Sequence, residues 1–383
     1  MVINNTTSTA WVHHEPAIAG DVATPEVYLE HVSSDYVQMF FYSIFALIGL
    51  PVNISTLIYM VRRYRTAKSF LLLLHINLNI SDILVLGLYV PGLIGWLLTL
   101  EWKGGAFLCK IMRFVDAFVF AASSNIMVCI ALYRLSALRY PLRVSAVGHS
   151  TIPKILVAAW GIAAVSMFPQ LYVWNQVDFI QVTQCVTIWT EQLNRGQNLS
   201  VLQQKIMKFY SIQNSFIIFY LPLVILVICY VLILKDIYKT LNTDAETSYA
   251  AYLSELSRNS SSKTGGPVKS EKENFVAVRV RTSRGEEKFK RAKVRSLRIT
   301  LLLILTYVVT WLPYNLLSWW MVFNLESYIA NLDSNYILNS LVVLNSVINP
   351  FIYGRWQGLK LIFGCRSLNK SKGKHFCRIF QRK

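Results

Sequence analysis

Seven stretches of this chain are apolar for about twenty residues or more, with polar connections between them: residues 37–61, 70–98, 107–139, 151–173, 209–238, 294–323 and 334–353. An α-helix rises about 1.5 Å per residue and a bilayer's hydrocarbon core is about 30 Å thick, so each stretch can cross a membrane as a helix. The third is the most informative. Cys109 and Arg134 at its ends would stand roughly 37 Å apart. Between them the polar residues fall on one stripe. Cys109, Asp116, Ser123 and Arg134 are spaced by seven, seven and eleven residues, close to two, two and three turns. Charges at membrane depth are costly and face protein or a wet cavity, so this stripe should point into a bundle. The predicted fold is an all-α membrane protein, a seven-transmembrane helix bundle. A short amphipathic eighth helix, Trp356 to Cys365, should lie on the membrane surface.

Charge placement orients the bundle. The chain carries 38 Lys and Arg against 20 Asp and Glu, a formal net charge of +18. Such a balance could suggest nucleic acid, but the positions argue otherwise. Of the basic residues, 32 lie in the first, third and fifth connections, counted with the adjoining span ends, and in the C-terminal segment; six lie elsewhere. Lys and Arg collect on the cytoplasmic side, so the N-terminus is expected outside and the C-terminus inside. Only 15% of residues are charged and 54% are hydrophobic, far from a soluble domain's usual share of about 25% charged. The expected organisation is an outer N-terminal segment, 1–36, five helices over 37–238, a flexible cytoplasmic loop, 239–293, two helices over 294–353, and the amphipathic helix and tail, 354–383. The segment 1–36 lacks the apolar core of a secretory signal, so the first span should act as its own insertion signal. Asn4, Asn5 and Asn198 begin glycosylation triplets in outer segments.

Six cysteines show no metal-ligand spacing. Cys109 and Cys185 are the two predicted outside, where disulfides persist, and are expected to pair. Several polar residues lie inside spans and demand partners there. Asn53 follows Pro51 in the first span and needs a group on a neighbouring helix. Asp82 in the second suggests an ion site or a proton relay. Trp102 is placed at the membrane interface. Pro313 in the sixth span should bend it. No inverted repeat of broken spans points to a transporter, and no nucleophile–base pair or metal motif points to an enzyme.

Each span then carries one residue of a known pattern: Asn53, Asp82, Arg134, Trp160, Pro222, Pro313 and Pro350. With Trp311-x-Pro313 and Asn349-Pro350-x-x-Tyr353, the membrane portion resembles the rhodopsin-like (class A) G-protein-coupled receptors. Within that family, Ala159-Trp160, Pro169-Gln170-Leu171-Tyr172 and Asn349-Pro350-Phe351-Ile352-Tyr353-Gly354 are most similar to receptors for gonadotropin-releasing hormone, adipokinetic hormone and vasopressin or oxytocin.

The resemblance implies a plasma-membrane receptor for an extracellular neuropeptide that activates a heterotrimeric G protein. Arrestin and a receptor kinase would be further partners, alongside the lipid bilayer. Asp116, Phe120, Gln170, Trp311, Tyr314 and Asn315 would line the ligand cavity. Asp116 would meet a cationic or amide group of the ligand, or pair internally with Arg113 one turn above. Its depth also matches the aspartate of amine receptors, which keeps a monoamine or other small cation open as the ligand. Asp82, Ser123, Asn345, Ser346 and Asn349 match the family's sodium pocket; the alternative is a hydrogen-bonded network without an ion. No cofactor is required beyond such an allosteric sodium ion. Arg134, Tyr230 and Tyr353 would form the inner switch, and Cys365 would be palmitoylated or remain a free thiol. Two departures stand out. The family's Asp-Arg-Tyr is here Tyr133-Arg134-Leu135, and Lys293 replaces a glutamate common on the sixth span. Both acidic restraints on the arginine are therefore absent, which also leaves open a ligand-binding protein that does not couple.

Overall fold

The computed structural model describes residues 31–140, 142, 144, 151–179, 182–239, 298–324, 327–328 and 332–353. The expectations for Asn4, Asn5, Lys293, Cys365, the helix from Trp356 and nearly all of the loop 239–293 lie outside the described residues. Seven long helices are present among the described residues. They are α1 (Ser33–Thr66), α2 (Phe70–Thr99), α3 (Gly105–Arg139), α4 (Thr151–Met167, continued by Gln170–Val173), α5 (Val201–Lys239), α6 (Arg298–Phe323) and α7 (Leu332–Tyr353). The first six are long and apolar enough to cross a membrane; α7 contributes a shorter apolar stretch, Leu338–Tyr353. The sequence pattern placed each of the seven, and the differences lie at the ends. The α1 helix starts at Ser33 because the Asp35 carboxylate accepts the Val32 N–H at 3.2 Å. The α5 helix starts at Val201, eight residues before its apolar stretch. There Ser200 and Gln203 form a capping box that satisfies the first free N–H groups. Polarity marks where lipid ends, whereas capping marks where the helix ends.

Two helices contain a π turn, and each turn is followed after one residue by a proline: Val85–Tyr89 before Pro91, and Phe216–Tyr220 before Pro222. A helical proline lacks the N–H for the carbonyl four residues back, and its ring crowds that carbonyl. The wider turn accommodates this without ending the helix.

Helix contacts are polar at depth as well as apolar. Asn53 donates to the Gly49 carbonyl at 2.9 Å and to the Ser346 carbonyl on α7 at 3.1 Å. A Cβ at Gly49 would stand 2.8 Å from Leu86 and 3.0 Å from Val347, so glycine is what lets α1 approach α2 and α7. Trp160 on α4 donates to Asn77 on α2 at 3.2 Å, and Asn125 on α3 donates to the Ala159 carbonyl at 3.1 Å.

The connection after α4 holds an antiparallel hairpin, β1 (Trp174–Asp178) and β2 (Thr183–Thr187), then a short helix, Ile188–Asn194. Cys185 is bonded to Cys109 at the N-terminal end of α3, with Cα atoms 5.6 Å apart. The expected disulfide is thus present, and it holds the middle of β2. Further ties hold the hairpin to the α2–α3 connection. Trp102 donates its backbone N–H to the Thr183 carbonyl at 2.8 Å, and Gln184 bridges the Leu100 carbonyl and the Trp96 indole. Trp102 itself is buried against Trp96, edge to face at 5.4 Å. The expectation that it sits at the membrane interface is therefore corrected, since the hairpin draws it into the protein. Asn198 is exposed beside the start of α5, and its neighbour Leu199 packs in the same cluster as Cys109 and Cys185.

Candidate functional site

The stripe along α3 faces inward as its spacing requires. Cys109, Asp116, Ser123 and Arg134 are 0%, 7%, 5% and 9% exposed. Near its N-terminal end a cavity opens among α2, α3, α4, α5, α6 and α7. All six residues named from the sequence line it: Asp116, Phe120, Gln170, Trp311, Tyr314 and Asn315. Trp311 forms part of the floor, with Phe120 edge to face against it at 5.2 Å. The periodicity could not single out Trp174, Tyr210 and Asn214, which line the same space.

These three decide what Gln170 can do. Its amide oxygen accepts from the Trp174 indole at 2.8 Å and from the Tyr210 hydroxyl, and its nitrogen donates to Asn214 at 3.4 Å. Both lone pairs of the oxygen are used, so Gln170 offers a ligand one N–H. Asn315 similarly spends one N–H on the Trp311 carbonyl at 2.9 Å, which leaves its amide oxygen for the cavity.

Asp116 is the acidic residue of the lining, and it is paired within the protein. Arg113, one turn above, places Nη2 at 2.8 Å from Asp116 Oδ2. The contact is an ion pair rather than an aligned hydrogen bond, and neither carboxylate oxygen receives an aligned donor among the described residues. The Arg113 guanidinium lies between two indoles, 5.1 Å from the Trp96 ring and 5.7 Å from the Trp174 ring. Stacking and charge thus fix the arginine, and the pair brings no net charge to the cavity. Of the two partners weighed for Asp116, the structure contains the internal one.

Below the cavity lies a second polar cluster. Asp82 is wholly buried. Asn349 donates to its two oxygens at 3.1 and 3.2 Å, and the Tyr353 hydroxyl donates at 3.3 Å. Tyr353 also accepts from Asn79 at 3.1 Å, and Asn79 donates in turn to Asn53. Ser123, Asn345 and Ser346 are buried as well. The side-chain oxygens of Asn345 and Asn349 have no hydrogen-bond donor among the described residues. A carboxylate with such orphaned amide oxygens is a donor set suited to a hard cation.

The three residues expected to form an inner switch are divided in this arrangement. Arg134 is buried and Tyr230 half-buried near the inner ends of α3 and α5, whereas the Tyr353 hydroxyl belongs to the Asp82 cluster. The four-residue spacing of Asn345, Asn349 and Tyr353 carried that signal, since it puts all three on one face of α7. Arg139 and Asp236 join the C-terminal ends of α3 and α5 through a two-point ion pair at 2.6 and 3.3 Å. No sequence pattern linked those two residues.

Comparison with known proteins agrees with this architecture. Residues 53–353 match the model of the seven-transmembrane receptor (rhodopsin family). The chain is 29% identical to the G-protein coupled receptor daf-38 of Caenorhabditis elegans, over 92% of this chain and 95% of that one. It is 25% identical to the vasopressin V1b receptor of Mus musculus, over 79% and 68%. It is 26% identical to the gonadotropin-releasing hormone receptor of Octopus vulgaris, over 80% and 68%. With the family model covering most of its length, the chain belongs to the rhodopsin family of seven-transmembrane receptors: it is a multi-pass membrane receptor and not an enzyme.

Proposed function

We propose that this receptor stands in the plasma membrane with its N-terminus outside, binds an extracellular peptide and activates a heterotrimeric G protein. The observation that carries the peptide reading is the Arg113–Asp116 pair at 2.8 Å. A small cationic ligand would have to displace a guanidinium held between two indoles to reach its counter-ion. A peptide can instead use the neutral donors and acceptors of the lining and the outer surface around the hairpin. Likeness to vasopressin and gonadotropin-releasing hormone receptors supports the same reading. Binding would shift a pre-existing equilibrium toward a state in which α6 swings out about Pro313 and Arg134 meets the G protein. Asp82, Ser123, Asn345, Ser346 and Asn349 would hold a sodium ion in the resting state, whose positive charge would stabilise the buried carboxylate. Receptor kinase and arrestin would act on the activated form.

The test is a screen of peptides and amines on cells expressing the receptor, with calcium and cyclic AMP both recorded and an epitope at residue 2 stained on intact cells. A peptide agonist is expected. An amine agonist that loses potency when its charge is removed would overturn the peptide reading.

A second expectation concerns Tyr133. A tyrosine offers Arg134 a hydroxyl where relatives offer a carboxylate, and a charge-assisted hydrogen bond contributes about 1.5–3 kcal/mol. Since about 1.4 kcal/mol is tenfold in an equilibrium constant, basal signalling should exceed that of cells without receptor at matched surface expression. Tyr133→Asp should reduce it while the agonist response persists. Basal signalling at background and unchanged by the substitution would count against this expectation.

A further inference from the structure

The packed core stops short of the C-terminal ends of α3 and α5. Arg134 is the last buried residue of α3, five before its end at Arg139, and Ile233 is the last buried residue of α5, six before Lys239. Each helix therefore runs more than a turn beyond the apolar contacts that hold it. An ion pair joins the two overhangs. Arg139 donates Nε to Asp236 Oδ2 at 2.6 Å and Nη2 to Asp236 Oδ1 at 3.3 Å. A planar guanidinium that meets both oxygens of a carboxylate fixes direction as well as distance, which a point charge does not. The two side chains are 34% and 29% exposed, so water screens the pair only in part.

The charges around the pair make this use of Asp236 informative. Arg63 and Arg65 close α1, Lys68 lies in the turn to α2, Lys235 and Lys239 flank Asp236, and Arg298 begins α6. Among the described residues at this end of the bundle, Asp236 is the one acidic side chain. Arg134 does not compete for it. Five residues along a helix is a rotation of about 140°, which turns Arg134 into the bundle and Arg139 toward α5. The one carboxylate is thus spent between α3 and α5, and none of the described acids is left to hold α6 here.

We propose that Arg139 and Asp236 are positioning residues that brace the C-terminal overhang of α5 against α3, so that the two helices form one rigid wall at this end and movement is left to α6. The proposal rests on the receptor reading only in the meaning it gives to that wall, as one side of the opening for a G protein, and it can be tested without ligand or G protein. The full-length receptor in lipid nanodiscs, with alanine at Cys129, Cys229, Cys365 and Cys377, would carry spin labels on Arg65→Cys and Tyr238→Cys, two exposed positions at the ends of α1 and α5. Pulsed electron resonance then reads the distance between the labels. The parent should give one narrow peak. Arg139→Gln and Asp236→Asn should each raise the ratio of displaced to parental distance about two- to fivefold, the range that pairs of this exposure contribute. The double variant Arg139→Gln/Asp236→Asn should do no more than either, because both substitutions break one contact. The exchanged pair, Arg139→Asp/Asp236→Arg, should restore the narrow peak. Unchanged distances in the two single variants, additive shifts in the double one, or an exchanged pair as displaced as the singles would overturn the proposal. Neither residue lines the cavity, so peptide binding and recruitment of G-protein α subunits by the same variants read the functional proposal separately.

Discussion

Asp116→Asn should destabilise the receptor far more than the removal of both members of its ion pair. Arg113 is 4% exposed, so the single substitution removes the carboxylate charge from beside a buried cation. Breaking a buried pair from one side costs about 3–5 kcal/mol, whereas replacing both charges by groups of similar volume is often neutral or stabilising. The two indoles that flank the guanidinium recover only part of the loss, roughly 0.5–2 kcal/mol for a cation over an aromatic face. Thermal unfolding in detergent should therefore rank wild type and Arg113→Met/Asp116→Asn close together, with Asp116→Asn well below both. A single variant as stable as the double one would mean that the contact at 2.8 Å carries little energy. Once an agonist is known, the same variants resolve the ligand's role. If the ligand meets Asp116 directly, Asp116→Asn should weaken binding by about 2–5 kcal/mol, and an analogue lacking the contacting group should bind both forms alike. An analogue that still loses affinity in the variant would leave Asp116 a structural part only.

Loss of the Cys109–Cys185 bond should be comparably severe. It closes a loop of 76 residues and pins the hairpin whose first residue, Trp174, lines the cavity. Removing a native disulfide from a small secreted domain costs about 2–5 kcal/mol, and here the loss would also release the clamp on Arg113. Cys109→Ser and Cys185→Ser should each lower surface expression to a similar extent, and the double variant should be no worse than either. Additive losses would contradict a shared role.

The fold was legible because a bilayer imposes it. Every backbone group must be bonded within the membrane, so seven apolar stretches of spanning length leave a helix bundle as the solution. The polar stripe on α3 likewise named its own face, since Asp116 and Arg134 cannot stand in lipid. The six cavity residues came from a motif resemblance, and the geometry gathers all six. Spacing along one helix could not reveal partners on others. It could place Arg113 one turn from Asp116, but not the Trp174 indole of the hairpin against the guanidinium, because that depends on a loop drawn in by a disulfide.

The sequence by itself therefore determined the number of spans and the inward face of α3, both consequences of solvation and helix periodicity. Tertiary structure decided which polar groups meet. It gave Tyr353 to Asp82, and it neutralised Asp116 with Arg113. It also set the Tyr307 hydroxyl of α6 against the Ile218 carbonyl of α5. The reason is the same in each case. A buried polar atom must find a partner within about 3 Å, and which atom lies there is settled by how the helices pack rather than by the order of residues along any one of them.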